Sequence, residues 1–392
     1  MDFMKSRFYG TKNKVIPWIA GLLIVSLPMI LFYLQSVISQ FISSRINPVY
    51  YYYLNGLSYA LGRRIHYIDD PGTPVQAYIG ELITYMSKAW CTGNLCHPID
   101  YAFLESEKIL FIAIIPVILL MTFFLIASFR FVQKISDDHK MAGLFYVLTW
   151  FAVPGYIYYL IGLRPEIFML TIGAICAYLI CRDVYSYGLL EKIINPFILG
   201  AVIGLGLAIK FIFAPFILLF ILMKGFFRKI IFLVCIPISF VFFTLPIQNQ
   251  YSSLFNWLAP LLSLEGQIDF WSWLLPDQPL LFKNFFSLIT THFALTALVL
   301  LSFSILISSY SFRHVLRDRK TRLVFVFIGI TVLQFIVALK RANINYFLPA
   351  MSLLPWMIVF SVNKIKPKVF DRVYIRTWVT SPPLYQTKVY AK

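Results

Sequence analysis

Asp69 and Asp70, in His66-Tyr-Ile-Asp-Asp-Pro-Gly-Thr-Pro-Val-Gln76, place two carboxylates side by side in a tight turn. Two adjacent carboxylates repel each other when both are ionised, which lifts one pKa towards the range of a general base. A base there would take the proton of a hydroxyl nucleophile. Turn chemistry alone also favours Asp-Asp-Pro-Gly, so the competing reading is a solvated turn. A second set of groups is basic. Lys210 interrupts Gly-Leu-Gly-Leu-Ala-Ile-Lys-Phe-Ile-Phe-Ala-Pro, and Lys340-Arg341 opens Lys-Arg-Ala-Asn-Ile-Asn-Tyr346. Both suit a phosphate; their alternatives are a Lys snorkelling at a hairpin tip and plain membrane anchors. Arg164-Pro165-Glu166 has the form of a helix start, with Pro at the first position and Glu in the first turn.

The elements that hold these groups are apolar. Hydrophobic residues make up 60% of the 392 and charged residues only 13%, against about 45–50% and roughly 25% in soluble domains. A membrane-spanning helix needs about 20 apolar residues. The chain offers ten stretches: 15–36, 108–129, 141–162, 166–181, 196–209, 211–223, 230–247, 292–310, 323–339 and 345–362. The first follows Lys5, Arg7, Lys12 and Lys14 and reads as a retained signal anchor. The sequence therefore predicts an all-α, polytopic integral membrane protein of about ten transmembrane helices. Residues 1–362 form one membrane domain, and 363–392 a basic cytoplasmic tail.

Only 196–223 is contested, because a single helix there would put Lys210 at the bilayer centre. Cytoplasmic loops are enriched in Lys and Arg. If the chain turns at Lys210, 24 of the 34 Lys and Arg fall on the cytoplasmic side; if it crosses once, half that number do. The turn is the expected arrangement. The net charge of +17 is then a topology signal and an anchor to anionic membrane lipid, not a nucleic-acid footprint.

In this topology the outer face carries two long segments, 37–107 and 248–291, and short ones at Arg164-Pro165-Glu166, Lys210 and 340–346. Asn47–Leu61 and Pro74–Trp90 read as helices in the membrane interface, where Tyr and Trp prefer to lie. Trp257, Trp271 and Trp273 give 248–291 the same character. Cys91 and Cys96, in Cys-Thr-Gly-Asn-Leu-Cys-His97, read as a disulfide closing a small loop on an oxidising face. A metal site using His97 is the alternative, although no fourth ligand stands nearby. Cys176, Cys181 and Cys235 sit in or beside apolar stretches and act as small hydrophobes. With no Walker loop, dinucleotide fingerprint or His-Glu-x-x-His, an ATP-driven pump or zinc protease is not expected. No cofactor is demanded, and a divalent cation stays open.

These motifs, in this order, resemble the C-type superfamily of polytopic glycosyltransferases, which includes the protein O-mannosyltransferases and the lipid A aminoarabinose transferases. Asp69-Asp70-Pro71-Gly72 looks like the acidic motif of that group's first outer loop, although it stands later after the first span. Arg164-Pro165-Glu166 resembles an element near its fourth span, and Gly204 to Lys210 its Gly-rich helix broken at a Lys. Lys340, Arg341, Tyr346, Leu348, Pro349 and Ala350 resemble its basic pair followed by Tyr-x-Leu-Pro-Ala. The extra C-terminal soluble domain of many relatives has no counterpart.

The resemblance implies a polyprenyl-phosphate sugar donor, an acceptor that is a lipid, glycan or protein, and inversion at the anomeric carbon. Asp69 or Asp70 would be the general base. Lys210, Lys340, Arg341 and Tyr346 would hold the donor phosphate, with Arg164 and Glu166 behind them; Trp271 and Trp273 stack on a sugar face or anchor the interface. The implied location is the bacterial cytoplasmic membrane, with the site on the periplasmic or outer face. The competing readings are a transporter or flippase of lipid-linked glycans, and a glycan polymerase or ligase. A transporter would place polar residues through the midplane, where these stretches are nearly free of charge.

Overall fold

The computed structural model describes residues 48–63, 72–90, 97–136, 139–152, 165–185, 189–252, 254, 283–287, 319–341 and 344–365. Every element among them is helical. In chain order the α-helices are α1 (Pro48–Ala60), α2 (Thr73–Trp90), α3 (Pro98–Leu104), α4 (Ser106–Ile135), α5 (His139–Ala152), α6 (Pro165–Tyr185), α7 (Leu189–Ile209), α8 (Phe226–Thr244), α9 (Arg319–Arg341), α10 (Leu348–Met351) and α11 (Leu354–Ile365). Shorter-pitch 3₁₀ segments run over Phe211–Leu222, Leu245–Gln250 and Ile344–Phe347. Among the described residues, four stretches are long and apolar enough to cross a membrane: Ser106–Ile135, Pro165–Tyr185, Phe226–Gln250 and Thr321–Ala338. Shorter apolar helices cover Ile194–Ile209, Phe211–Leu222 and Leu348–Phe360. This is the build of an all-α membrane protein.

Helix α6 is the centre. Of its apolar window 83% lies inside the protein, against 28% for Phe226–Gln250. It packs against α4, α7, α9 and α10, while α8 turns Ile238, Val241 and Phe242 outward. Helix α5 lies on α4 and α11, where Tyr146, Phe131 and Phe360 meet the ring of Trp356.

Helices α7 and α8 run parallel. A Cβ added at Gly200 would meet the Phe232 carbonyl at 2.5 Å, and one at Gly204 the Ile236 carbonyl at 2.4 Å. The hydroxyl of Ser239 donates to the Ala201 carbonyl at 2.7 Å. Small residues four apart let the two backbones touch where lipid supplies no hydrophobic drive between helices. Consecutive parallel helices require the chain between them to come back. The 12 residues of Phe211–Leu222 do so, reaching roughly 24 Å at the 3₁₀ rise of about 2 Å per residue. The chain turns back at Lys210, as the charge distribution predicts.

Three expected helices differ in detail. Residues 211–223 form a 3₁₀ segment, not an α-helix. The stretch 345–362 is not one helix but a 3₁₀ turn, α10 and α11, because Pro349 and Pro355 each stand in a first helical turn and lack the N–H that a continuous ladder needs. The stretch 141–162 is described as helix only to Ala152. The two expected outer-loop helices appear as α1 and α2, within a residue of the expected bounds. They pack on each other and bury Tyr52 and Tyr53 instead of presenting every Tyr outward. The Tyr53 hydroxyl donates to the Ala102 carbonyl at 2.7 Å and ties α1 to α3. The spans 15–36 and 292–310, and the tail from 366, lie outside the described residues.

Candidate functional site

Three helix ends converge beside Lys210. Helix α7 closes with the Lys210 N–H on the Gly206 carbonyl at 2.9 Å, after which Lys210 itself is extended, with φ −154° and ψ 133°. Its carbonyl then receives the Phe213 N–H at 3.1 Å and opens the 3₁₀ segment. Gly206 makes the reversal feasible: a Cβ there would strike the Phe213 ring at 2.7 Å. The Gly-rich run before Lys210 therefore serves two close approaches, to α8 at Gly204 and to the returning chain at Gly206.

Glu166 comes from the first turn of α6. Its Oε1 accepts from the Lys210 ammonium at 3.3 Å, with both side chains well inside the protein. Its other oxygen, Oε2, has no hydrogen-bond partner among the described residues. The resemblance implies separate roles for Glu166 and Lys210, one supporting and one phosphate-binding. The structure makes them an ion pair, so the Lys210 charge has an internal counter-charge.

The start of α2 is the third end. The Gly72 N–H donates to the Ile209 carbonyl at 3.1 Å, one residue before Lys210. Gly72 takes φ +50°, and a Cβ there would meet the Tyr52 ring at 2.5 Å, so both backbone and space call for glycine. Further along α2, the Tyr78 ring meets Phe168 of α6 edge-on with centroids 6.3 Å apart, and its hydroxyl donates to the Ala113 carbonyl of α4 at 2.9 Å. Thr73 and Gln76 of this first turn are fully buried.

Asp69, Asp70, Arg164, Cys91 and Cys96 lie outside the described residues, as do Trp257, Trp271 and Trp273. Lys340 and Arg341 are the last residues of α9, and their side chains also lie outside the description. Tyr346 sits in the 3₁₀ turn Ile344–Phe347, half-buried against the core. His97, the alternative metal ligand, caps α3: its Nδ1 accepts from the Ile99 N–H at 3.4 Å. Among the described residues no three His, Cys, Asp or Glu gather as metal ligands would.

Two buried features are absent from the sequence reading. Gln334, deep in α9, donates through Nε2 to the Ile212 carbonyl at 3.0 Å and accepts from the Ala350 N–H at 2.6 Å. In a 3₁₀ ladder the Ile212 carbonyl would be served by residue 215, which is proline and has no N–H. Ala350 belongs to the first turn of α10, whose N–H groups lack helical partners. One amide thus satisfies both breaks, and it joins the segment after Lys210 to the segment after Tyr346. A lone Gln inside an apolar stretch is the signal that could have found it. The second feature is an ion pair between Arg228 of α8 and Asp183 of α6.

No family model matches the chain, and no curated protein or solved structure does either.

Proposed function

We propose that this protein transfers a sugar from a polyprenyl-phosphate donor to a lipid, glycan or protein acceptor at the outer face of a membrane. One observation carries the reading: the hydrogen bond from Gly72 to Ile209. Gly72 closes the sequence motif Asp69-Asp70-Pro71-Gly72, and its bond sets the start of α2 against the turn that carries Lys210. Glu166 reaches the same turn from α6. Gly72, Glu166 and Lys210, one residue from each of three motifs far apart in the chain, therefore support the reading by meeting at one turn.

In this reading Asp69 removes the proton of the acceptor hydroxyl. The acceptor oxygen forms a bond to the anomeric carbon from one side while the bond to the phosphate oxygen breaks on the other, inverting the centre. The electron pair leaves on polyprenyl phosphate, which is already a stable anion and needs no acid to protonate it. Lys340, Arg341 and Tyr346 meet that phosphate. Lys210, held by Glu166, contributes a fixed dipole at the turn. Fixed charges around developing charge are the largest single source of catalysis in many enzymes. The chain crosses the membrane ten times, with Lys210 outside and Arg228 inside.

The test is sugar transfer by purified protein given polyprenyl-phosphoryl sugars and cell-envelope acceptors. Asp69→Asn keeps the shape and removes the base, a change that costs about 10²–10⁴ in rate when a general base is lost. Full activity in Asp69→Asn moves the role to Asp70. Full activity in the double Asn variant ends the transferase reading and favours a lipid-glycan transporter.

A further inference from the structure

Gln76 is fully buried in the first turn of α2, and neither its Nε2 nor its Oε1 has a hydrogen-bond partner among the described residues. Its Nε2 lies 3.3 Å from where a Gly72 Cβ would stand, so the amide sits beside the residue whose N–H bonds Ile209. Across the same junction, Glu166 keeps its Oε2 buried and unpartnered among the described residues while its Oε1 holds Lys210. Helices α2 and α6 meet immediately beyond, through Tyr78 and Phe168. Buried polar atoms are nearly always satisfied. Three unsatisfied ones on two helix starts that face one turn ask for a missing partner.

The chemistry of these atoms defines it. Glu166 Oε2 and Gln76 Oε1 only accept, and Gln76 Nε2 only donates. A phosphate, rich in acceptors and negatively charged, is repelled by the free carboxylate oxygen. A ring bearing neighbouring hydroxyls matches this set of donors and acceptors, since each hydroxyl both donates and accepts. We propose that Gln76 and the second oxygen of Glu166 form a hydroxyl-reading subsite for the sugar ring. It is separate from the basic groups that meet the phosphate, and it rests on the transferase reading above. Sugar selectivity then resides in α2 and α6, and lipid-phosphate affinity resides elsewhere.

The full chain in lipid nanodiscs is titrated with bare polyprenyl phosphate and with a set of polyprenyl-phosphoryl hexoses that includes monodeoxy forms. Gln76→Met keeps length and helix preference and removes both polar atoms. It should unfold at the same or a higher temperature than the native chain without ligand, because no protein atom loses a partner. It should bind bare polyprenyl phosphate as the native chain does. Its preference for the sugar-bearing lipid over the bare one should fall at least about tenfold, the loss expected when a hydroxyl contact is removed. In the native chain, at least one monodeoxy sugar should lose about as much, an arm that needs no variant. An early-unfolding Gln76→Met shows an amide that serves the protein or an interior water, and it overturns the proposal. Unchanged sugar preference in the variant, or equal binding of every deoxy sugar by the native chain, overturns it too. A native chain that binds neither kind of lipid removes the transferase reading and the subsite with it, whereas bare-lipid binding without sugar preference removes the subsite alone.

Discussion

Glu166 and Asp183 stand at opposite ends of α6, and each holds a base from another part of the chain. Glu166 pairs with Lys210 and Asp183 with Arg228. At 1.5 Å per residue the two acids are about 26 Å apart, close to the roughly 30 Å depth of a bilayer's hydrocarbon. Among the described residues, the most buried of the four long apolar helices therefore carries charge only where it would meet the two interfaces. Between Glu166 and Arg182, α6 is apolar apart from Thr171, whose hydroxyl folds back onto the Ile167 carbonyl at 2.7 Å, and Tyr178, whose ring packs against Phe124 and Phe131.

This arrangement predicts sidedness. Single cysteines at Phe226, exposed near Arg228, and at Gly62, exposed in the turn after α1, should differ in a background without native cysteines. An impermeant thiol reagent added to intact cells should label the Gly62 variant and spare the Phe226 variant. Labelling of both would place the two ends of α6 on one side and end the reading of α6 as a membrane-crossing helix.

The Lys210–Glu166 pair should behave as a buried pair. Removing one partner strands the other, at a cost of about 3–5 kcal/mol, whereas replacing both with apolar groups of similar size costs much less. Lys210→Met and Glu166→Leu should each lower the unfolding temperature clearly, and the double variant should recover much of the loss. Strictly additive losses would mean that the two side chains do not depend on one another.

Gln334→Leu should be among the most destabilising single changes in α9. It leaves the Ile212 carbonyl and the Ala350 N–H buried without partners, and each such group costs about 1–3 kcal/mol. Gln334→Glu keeps the acceptor for Ala350 and loses the donor to Ile212, so it should separate the two bonds. Unfolding in mild detergent, followed by intrinsic Trp fluorescence, measures both.

Much of this was legible from local pattern. The bounds of α1 and α2, the helix start at Pro165 and the turn at Lys210 follow from apolar runs, prolines and the charge distribution. The partners were not legible. Gln334 acts through Ile212 and Ala350, and Glu166 through Lys210, at separations that only packing decides. Nor did the sequence reveal that 345–362 would break, because two prolines in an apolar run are equally compatible with a kinked single helix. The lone Gln in α9 carried the one available warning, a polar group at membrane depth.

Tyr53 predicts an alkaline limit. Burial pushes its phenol pKa upward, and the nearby Tyr101 adds to the shift. A group whose folded pKa is raised gives stability that is complete below its unfolded pKa, about 10, and is lost as pH rises towards the folded value. The native chain should lose stability above about pH 10, and Tyr53→Phe should lose less there. At neutral pH the same variant should be weaker by about 0.5–1.5 kcal/mol, the worth of the hydrogen bond to Ala102. An identical alkaline slope in both proteins would assign the limit to other tyrosines.

The donor phosphate is tested from the end of α9. If Lys340 and Arg341 meet it, neutralising both should weaken binding of bare polyprenyl phosphate. Charged hydrogen bonds are worth about 1.5–3 kcal/mol each, so the double change should cost at least about a hundredfold in affinity. Lys364→Gln, at the far end of α11, supplies the control, because in the ten-crossing topology its charge lies across the bilayer from the site. Sugar preference among lipids that still bind should survive the Lys340–Arg341 change, since the hydroxyl-reading atoms stand on α2 and α6. Equal losses from the two ends, with normal insertion of both variants, would show that the basic pair only anchors α9 to the membrane surface.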